Sequence, residues 1–164
     1  MPLQLQGSCK CGAVKFTVDS HAPVPYQLCY CSICRKTGGC GGYAINLHAD
    51  ALTLKVDDPT AARRSFHAQI EEEGALHAST AQRHFCSRCG SALWLFSPEW
   101  PKLVHPLASA IDTELPVPPE RVHMMLSSKA SWVQPRIGPR DQSFDEYPEE
   151  SIEDWHRARG LWID

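Results

Sequence analysis

The chain has no apolar run approaching the roughly 20 residues that a membrane-crossing helix needs. Its opening, MPLQLQGSCK, carries neither a basic n-region nor an apolar h-region, so no secretory signal is expected and the reading is cytosolic. Basic clusters are equally scarce. Arg63-Arg64 is the densest pair outside the central cysteine loop, 28–36, and the formal net charge is -3, which argues against a nucleic-acid partner. Several catalytic signatures are missing: no HExxH pair of metal-binding histidines, no GxSxG elbow, no P-loop and no GxGxxG turn. The H-x-E and P-C-x-x-C elements of a zinc deaminase are missing too. What remains is an ordinary globular composition, 43% hydrophobic and 21% charged, over 164 residues, which is the size of one domain with a real core.

Proline and cysteine divide the chain unevenly. Every cysteine lies before Phe96, and nine of the prolines lie after it, where they disfavour helix and favour loops and sheet edges. Period-2 alternation dominates the rest and predicts a mainly β domain. Val14, Phe16 and Val18 share one face of a strand; so do Tyr43, Ile45 and Leu47, and again Leu52, Leu54 and Val56. Weaker strands are expected at 63–67, 82–85, 92–96, 103–107 and 121–126. One helix is expected, at 149–159, where acidic residues crowd the start, basic residues the end, and Gly160 can cap it. Glu71-Glu72-Glu73 reads as a solvated loop, and Gly38-Gly39 with Gly41-Gly42 as a flexible turn around Cys40.

The eight cysteines carry the chemistry. Cys9 and Cys11 form a Cys-x-Cys, Cys29, Cys31 and Cys34 a Cys-x-Cys-x-x-Cys, and Cys86 and Cys89 a Cys-x-x-Cys, while Cys40 stands alone. In a reducing compartment such clusters point to metal rather than to disulfides. Two sulfurs on one tight turn can both reach about 2.3 Å from a zinc ion. The simplest pairing places Cys9, Cys11, Cys86 and Cys89 in one closed, structural site and leaves Cys29, Cys31 and Cys34 with three ligands. Three protein ligands and an open place is how catalytic zinc is built. The alternative is a second closed site, with Cys40 folding back as fourth ligand. Arg35 and Lys36, next to the triplet, could offset its charge or hold an anionic substrate.

GSCKCGAVKFTV, CYCSICRKTGG and HFCSRCGSALW, in this order, resemble the glutathione-dependent formaldehyde-activating enzyme (Gfa-like) family, as does the tail ESIEDWHRARGLW. The resemblance implies a single domain over 1–164 with a zinc-pinned β-tent of small antiparallel sheets and a short C-terminal helix. It implies a structural zinc on Cys9, Cys11, Cys86 and Cys89, and a second zinc on Cys29, Cys31 and Cys34, where the glutathione sulfur can be fourth ligand. It implies condensation of formaldehyde with glutathione, formally a carbon–sulfur lyase reaction. Two residues depart from the family pattern: Tyr30 stands where histidine is frequent, and Cys40 where small or apolar residues are common. Both bear on the substrate more than on the metal, since one scaffold serves several chemistries.

Other candidates read as structural. Each of the eight histidines is expected at the surface or as a satisfied core residue, with His84 a neighbour of the structural zinc. The tryptophans are expected in the core, and Trp132 in SKASWV as a possible pocket wall. The expected activity is therefore addition of a small thiol, held at an open zinc, to formaldehyde or another small electrophile, with no nucleic-acid or membrane partner. The rival reading is a non-catalytic two-zinc scaffold or thiol carrier.

Overall fold

A computed structural model describes all of residues 1–164. The chain is mainly β. Leu3–Ser8, Lys15–Ser20 and Lys55–Asp57 make a three-stranded antiparallel sheet. A five-stranded antiparallel sheet runs, in spatial order, Ala49–Asp50, Leu103–Pro106, Ala92–Phe96, Gln82–Cys86 and Arg63–Phe66. A smaller sheet orders Gln142–Ser143, Val122–Met124, Gln27–Cys29 and Ala44–Ile45, and its first two pairings are parallel. The hairpin Gln69–Glu72 and Ala75–Ala78 stands by itself. No helix is long and apolar enough to cross a membrane.

The alternation in GAVKFTV does what its period demands. Val14, Phe16 and Val18 are buried while Lys15 is exposed. Each such side chain contributes about 1.5–3 kcal/mol on leaving water. Phe16 meets Trp94 edge to face, centroids 5.0 Å apart, and joins the three-stranded sheet to the five-stranded one. Both cysteine groups border this same core.

Elsewhere local chemistry overrode the period. Leu52 is exposed, not paired with Leu54 and Val56 on one face, because the Asp50 carboxylate accepts from Leu52 N (2.9 Å) and winds Ala51–Thr53 into a short 3₁₀ turn. Tyr43 and Ile45 share a face, but Leu47 belongs to the main core, since the strand there is only Ala44–Ile45. Glu71 and Glu72 lie on a hairpin strand; only Glu73, with a positive φ, is in the turn. Trp94 and Trp155 are buried as expected, whereas Trp100 and Trp132 are exposed.

The helices are α1, Ser32–Gly38, which the sequence reading did not expect, and the late one, α2, Ile152–Ala158. It starts later than the charge pattern suggests because Ser151 Oγ accepts from Asp154 N (3.0 Å) and sets the cap. Trp155 stacks on Tyr26 at 3.6 Å between centroids. His156, fully buried, pins the helix: its Nδ1–H donates to Ile152 O (2.8 Å) and its Nε2 accepts from Val24 N (3.1 Å). Burial holds this imidazole below its ordinary value of 6.5. A proton at Nε2 would face the Val24 N–H, donor against donor.

The folded chain therefore binds fewer protons here than the unfolded one. The stabilisation is present above pH 6.5 and is lost as the pH falls below it. One imidazole accounts for at most about 1.4 kcal/mol per pH unit. Urea midpoints of the wild type are expected to fall between neutral pH and about pH 5, and to fall less steeply in His156→Gln; parallel slopes in the two proteins would refute the assignment.

Candidate functional site

Cys9 and Cys11 sit on the turn between the first two strands. Cys86 ends the strand Gln82–Cys86, and Cys89 sits on the turn that follows it. The four sulfurs all lie within 4.8 Å of one another, with Cys9 to Cys11 at 3.6 Å and Cys11 to Cys86 at 3.7 Å. A tetrahedron with metal–sulfur bonds of about 2.3 Å has edges of about 3.8 Å, so the donor set fits a metal ion. Backbone supports the turns: Val14 N donates to Cys9 Sγ (3.2 Å), and Lys10 N to Ser91 Oγ (3.0 Å), which ties the two loops together. Ser91 bonds also hold the Cys89 thiol down, to about 5, and Cys9 is lowered, while Cys11 is pushed up to about 11. Thiols packed this closely cannot all ionise without a cation among them.

Cys29 ends its strand, Cys31 follows it, and Cys34 lies on α1, the helix Ser32–Gly38. This helix escaped the sequence reading because its cap is a sulfur: Cys31 Sγ accepts from Cys34 N (3.3 Å). The helix turns Cys34 back under Cys29 and Cys31, and the three sulfurs come within 4.8 Å of one another. Cys29 and Cys34 are buried and Cys31 partly open. Hydrogen bonding from Cys29, then from Cys34, holds Cys31 down to about 2, and Cys31 in turn pushes Cys29 far up. Three thiols packed this closely cannot all ionise without a cation among them. It is a fit for a metal ion with fewer than four protein ligands.

No other histidine, cysteine or carboxylate atom joins the triad. Cys40 is exposed and remains apart. The reason is the packing of the glycines around it, which the sequence reading took as flexible. A Cβ on Gly39 would lie 1.9 Å from Tyr43 O, and one on Gly42 2.3 Å from Val133 Cγ2. These close approaches hold the turn in place and keep Cys40 outward.

Two polar neighbours of Cys34 were missed. Asn46 Nδ2 donates to Cys34 Sγ at 3.7 Å, and the Arg83 guanidinium approaches it at 3.8 and 3.9 Å. No local motif links them to the cysteines; sheet pairing brings them in. Asn46 Oδ1 is buried without a partner, an acceptor left over beside the triad.

Arg35 and Lys36 line a cavity of about 620 Å³ together with Cys9, Lys10, Ser91, Cys40 and Asp112, and none of the triad cysteines lines it. A smaller, more apolar pocket of about 350 Å³, bordered by Arg83 and Trp94, shares Thr37, Gly90 and Ala92 with it. His84 is buried, but its Nδ1 accepts from Arg63 (2.8 Å) and its ring stacks on Trp94, so it supports the hydrophobic core rather than a sulfur.

Three comparisons with known proteins bear on the family and the fold. Residues 4–128 match the family model described as glutathione-dependent formaldehyde-activating enzyme. A Halomonas elongata protein, provisionally named as a glutathione-dependent formaldehyde-activating enzyme, is 56% identical over 157 residues, covering 96% of this chain and 97% of its own. A Rhodobacter sphaeroides protein of known crystal structure is 24% identical, with a TM-score of 0.50, over 68% of this chain and 91% of that one, which shows a shared fold. On the family match and the near full-length relative, this chain belongs to the glutathione-dependent formaldehyde-activating enzyme family.

Proposed function

We propose that this chain binds a small thiol, glutathione or a relative, beside a zinc ion held by Cys29, Cys31 and Cys34, and adds the sulfur to formaldehyde or another small electrophile. Cys9, Cys11, Cys86 and Cys89 would hold a second, structural zinc. The observation that carries this reading is a three-sulfur cluster that no fourth histidine, cysteine or carboxylate joins, followed in the chain by two cations, Arg35 and Lys36, that line a cavity. A zinc ion, when bound, supplies the positive charge that lets an incoming thiol lose its proton near neutral pH.

The chain's own residues do the rest. Arg83 and Asn46 direct N–H groups at Cys34 and keep its sulfur oriented. Lys10, Arg35 and Lys36 present cations to the carboxylates of a peptide thiol. In the reaction a carbon–sulfur bond forms, the carbonyl π bond opens, and the thiol proton ends on the new hydroxyl. Reversal cleaves the carbon–sulfur bond, which makes the activity that of a carbon–sulfur lyase. Asn46 and Arg83 offer donors, not a base, so holding the two reactants together supplies most of the acceleration.

The cationic cavity makes a specific prediction. Combined replacement of Arg35 and Lys36 by alanine is expected to weaken glutathione about tenfold while leaving 2-mercaptoethanol, which has no carboxylate, unchanged. Calorimetric titration of the zinc-loaded protein checks it. An equal loss for both thiols would show that the cavity does not read the peptide. Formaldehyde consumption at saturating glutathione then separates an enzyme from a carrier: a rate no faster than free glutathione under the same conditions leaves thiol carriage as the function.

A further inference from the structure

A second cleft opens on the opposite face of the strand that carries Cys29. Side chains alternate along that strand, so Cys29 and Cys31 turn toward the main core while Leu28 and Tyr30 turn the other way, into a separate cluster with Val133. The cleft there measures about 610 Å³, within the range of small-molecule sites. Leu28, Tyr30 and Val133 make its floor, Tyr43 and Trp132 its aromatic walls, and Arg121 and Arg136 its rim.

Three features set this cleft apart from an ordinary surface groove. The first is its floor. The Asp141 carboxylate accepts from Gly138 N and Arg121 N, both at 2.9 Å, and lies 3.2 Å from His123 Nε2. His123 Nδ1 is 2.9 Å from the Tyr30 hydroxyl. With the carboxylate ionised, Nε2–H donates to Asp141 and Nδ1 accepts from Tyr30. Tyr30 and His123 are each only 2% exposed. A chain of three polar groups, Tyr30 and His123 buried and Asp141 half-buried, all with partners, gives the floor one arrangement.

The second is unpaired positive charge. Arg121, Arg136 and the adjacent Arg140 make no ion pair, and the only carboxylate among them, Asp141, is spent on His123 and the two backbone amides. The third is Trp132. It is 67% exposed, and its ring edge lies near Gly42, 3.4 Å from where a Cβ there would stand. A large aromatic face is exposed beside two guanidinium groups.

We propose that this cleft is a binding site for a planar aromatic ring carrying a carboxylate or a phosphate. The ring lies against Trp132 and Tyr43, and the anion lies between Arg121 and Arg136, which match its oxygens with fork geometry. The site shares no side chain with the thiol site and stands or falls independently of it.

Calorimetric titration of the metal-loaded protein with benzoate, adenosine 5′-monophosphate and inorganic phosphate tests this. Benzoate or the nucleotide is expected to bind at least about tenfold more tightly than inorganic phosphate, and whichever is tighter names the anion. Arg136→Gln and Trp132→Ala are each expected to weaken that ligand about tenfold, with metal content and circular dichroism unchanged, since both side chains are exposed. Binding of inorganic phosphate as tightly as the aromatic anions would reduce the cleft to a patch of positive charge. No saturation by any of the three at about 10 mM, or titrations unchanged in both variants, would overturn the proposal.

Discussion

Cys86→Ser is expected to leave the chain unfolded. Cys86 is fully buried, its sulfur is 3.7 Å from that of Cys11, and it belongs to the four-sulfur cluster that joins the turn after the first strand to the turn after Gln82–Cys86. Those turns belong to different sheets, so the cluster is a cross-link between them. Metal binding at such a cluster is also folding free energy, on the order of 10 kcal/mol in zinc peptides. The net stability of a whole domain is about 5–15 kcal/mol. Loss of one of four ligands takes away much of that binding energy and leaves a hydroxyl buried among the remaining thiols. Circular dichroism and metal analysis of the purified variant are expected to show one metal ion or none and no cooperative thermal transition. A strong chelator applied to the wild type is expected to give the same state. If Cys86→Ser melts cooperatively near the wild-type temperature, the cluster is not what holds the sheets together.

Cys34→Ser is expected to do something different: keep the fold and abolish thiol binding. Cys34 lies on a seven-residue helix and packs at the edge of the main core, where serine is close in size. The triad joins neighbouring segments of one loop, not two sheets, so its contribution to folding is the smaller. Serine oxygen is a poor ligand beside thiolate sulfur. The expected metal content drops from two ions per chain to one, and glutathione affinity falls at least about a hundredfold. Cys40→Ser is the companion experiment. Because the Gly39 and Gly42 contacts keep Cys40 away from the triad, it is expected to retain both ions. A Cys40→Ser protein that loses its second metal would place a fourth polypeptide sulfur on the triad and end the case for an open position.

The two sites were legible to different depths. Cys9, Cys11, Cys86 and Cys89 announce themselves by spacing, because a chelating pair is a property of one tight turn, and a turn is local. The pairing of the two turns across the fold followed from arithmetic over few candidates. The triad was legible for the same reason, but its surroundings were not. Arg83 reaches Cys34 from the five-stranded sheet and Asn46 from beyond the glycine turn, and neither lies in a motif with the cysteines. Arg35 and Lys36 were read from their place next to Cys34 as able to offset its charge or hold an anionic substrate; the structure adds that both line one cavity.

Strands with strong alternation, such as Lys15–Ser20, and long-range ones with aliphatic runs, such as Ala92–Phe96, could be placed from period alone. Helix α1 could not, since its cap is Cys31 Sγ, a residue whose other role hides the first. The parallel pairings of Val122–Met124 with its two neighbours were equally out of reach, because strand direction depends on how distant segments return.

By itself the amino-acid order determined the family, the mainly β character and the two metal-donor sets, all of which rest on residue type and short spacing. The tertiary structure alone decided that Cys40 stays outside, that Arg83 and Asn46 flank the triad, and that Tyr30 looks away from the sulfurs into a cleft of its own. The physical reason is reach: a sulfur pair closes within one turn of chain, whereas a charge, an amide or a cleft wall takes its meaning from segments that meet only once the sheets have packed.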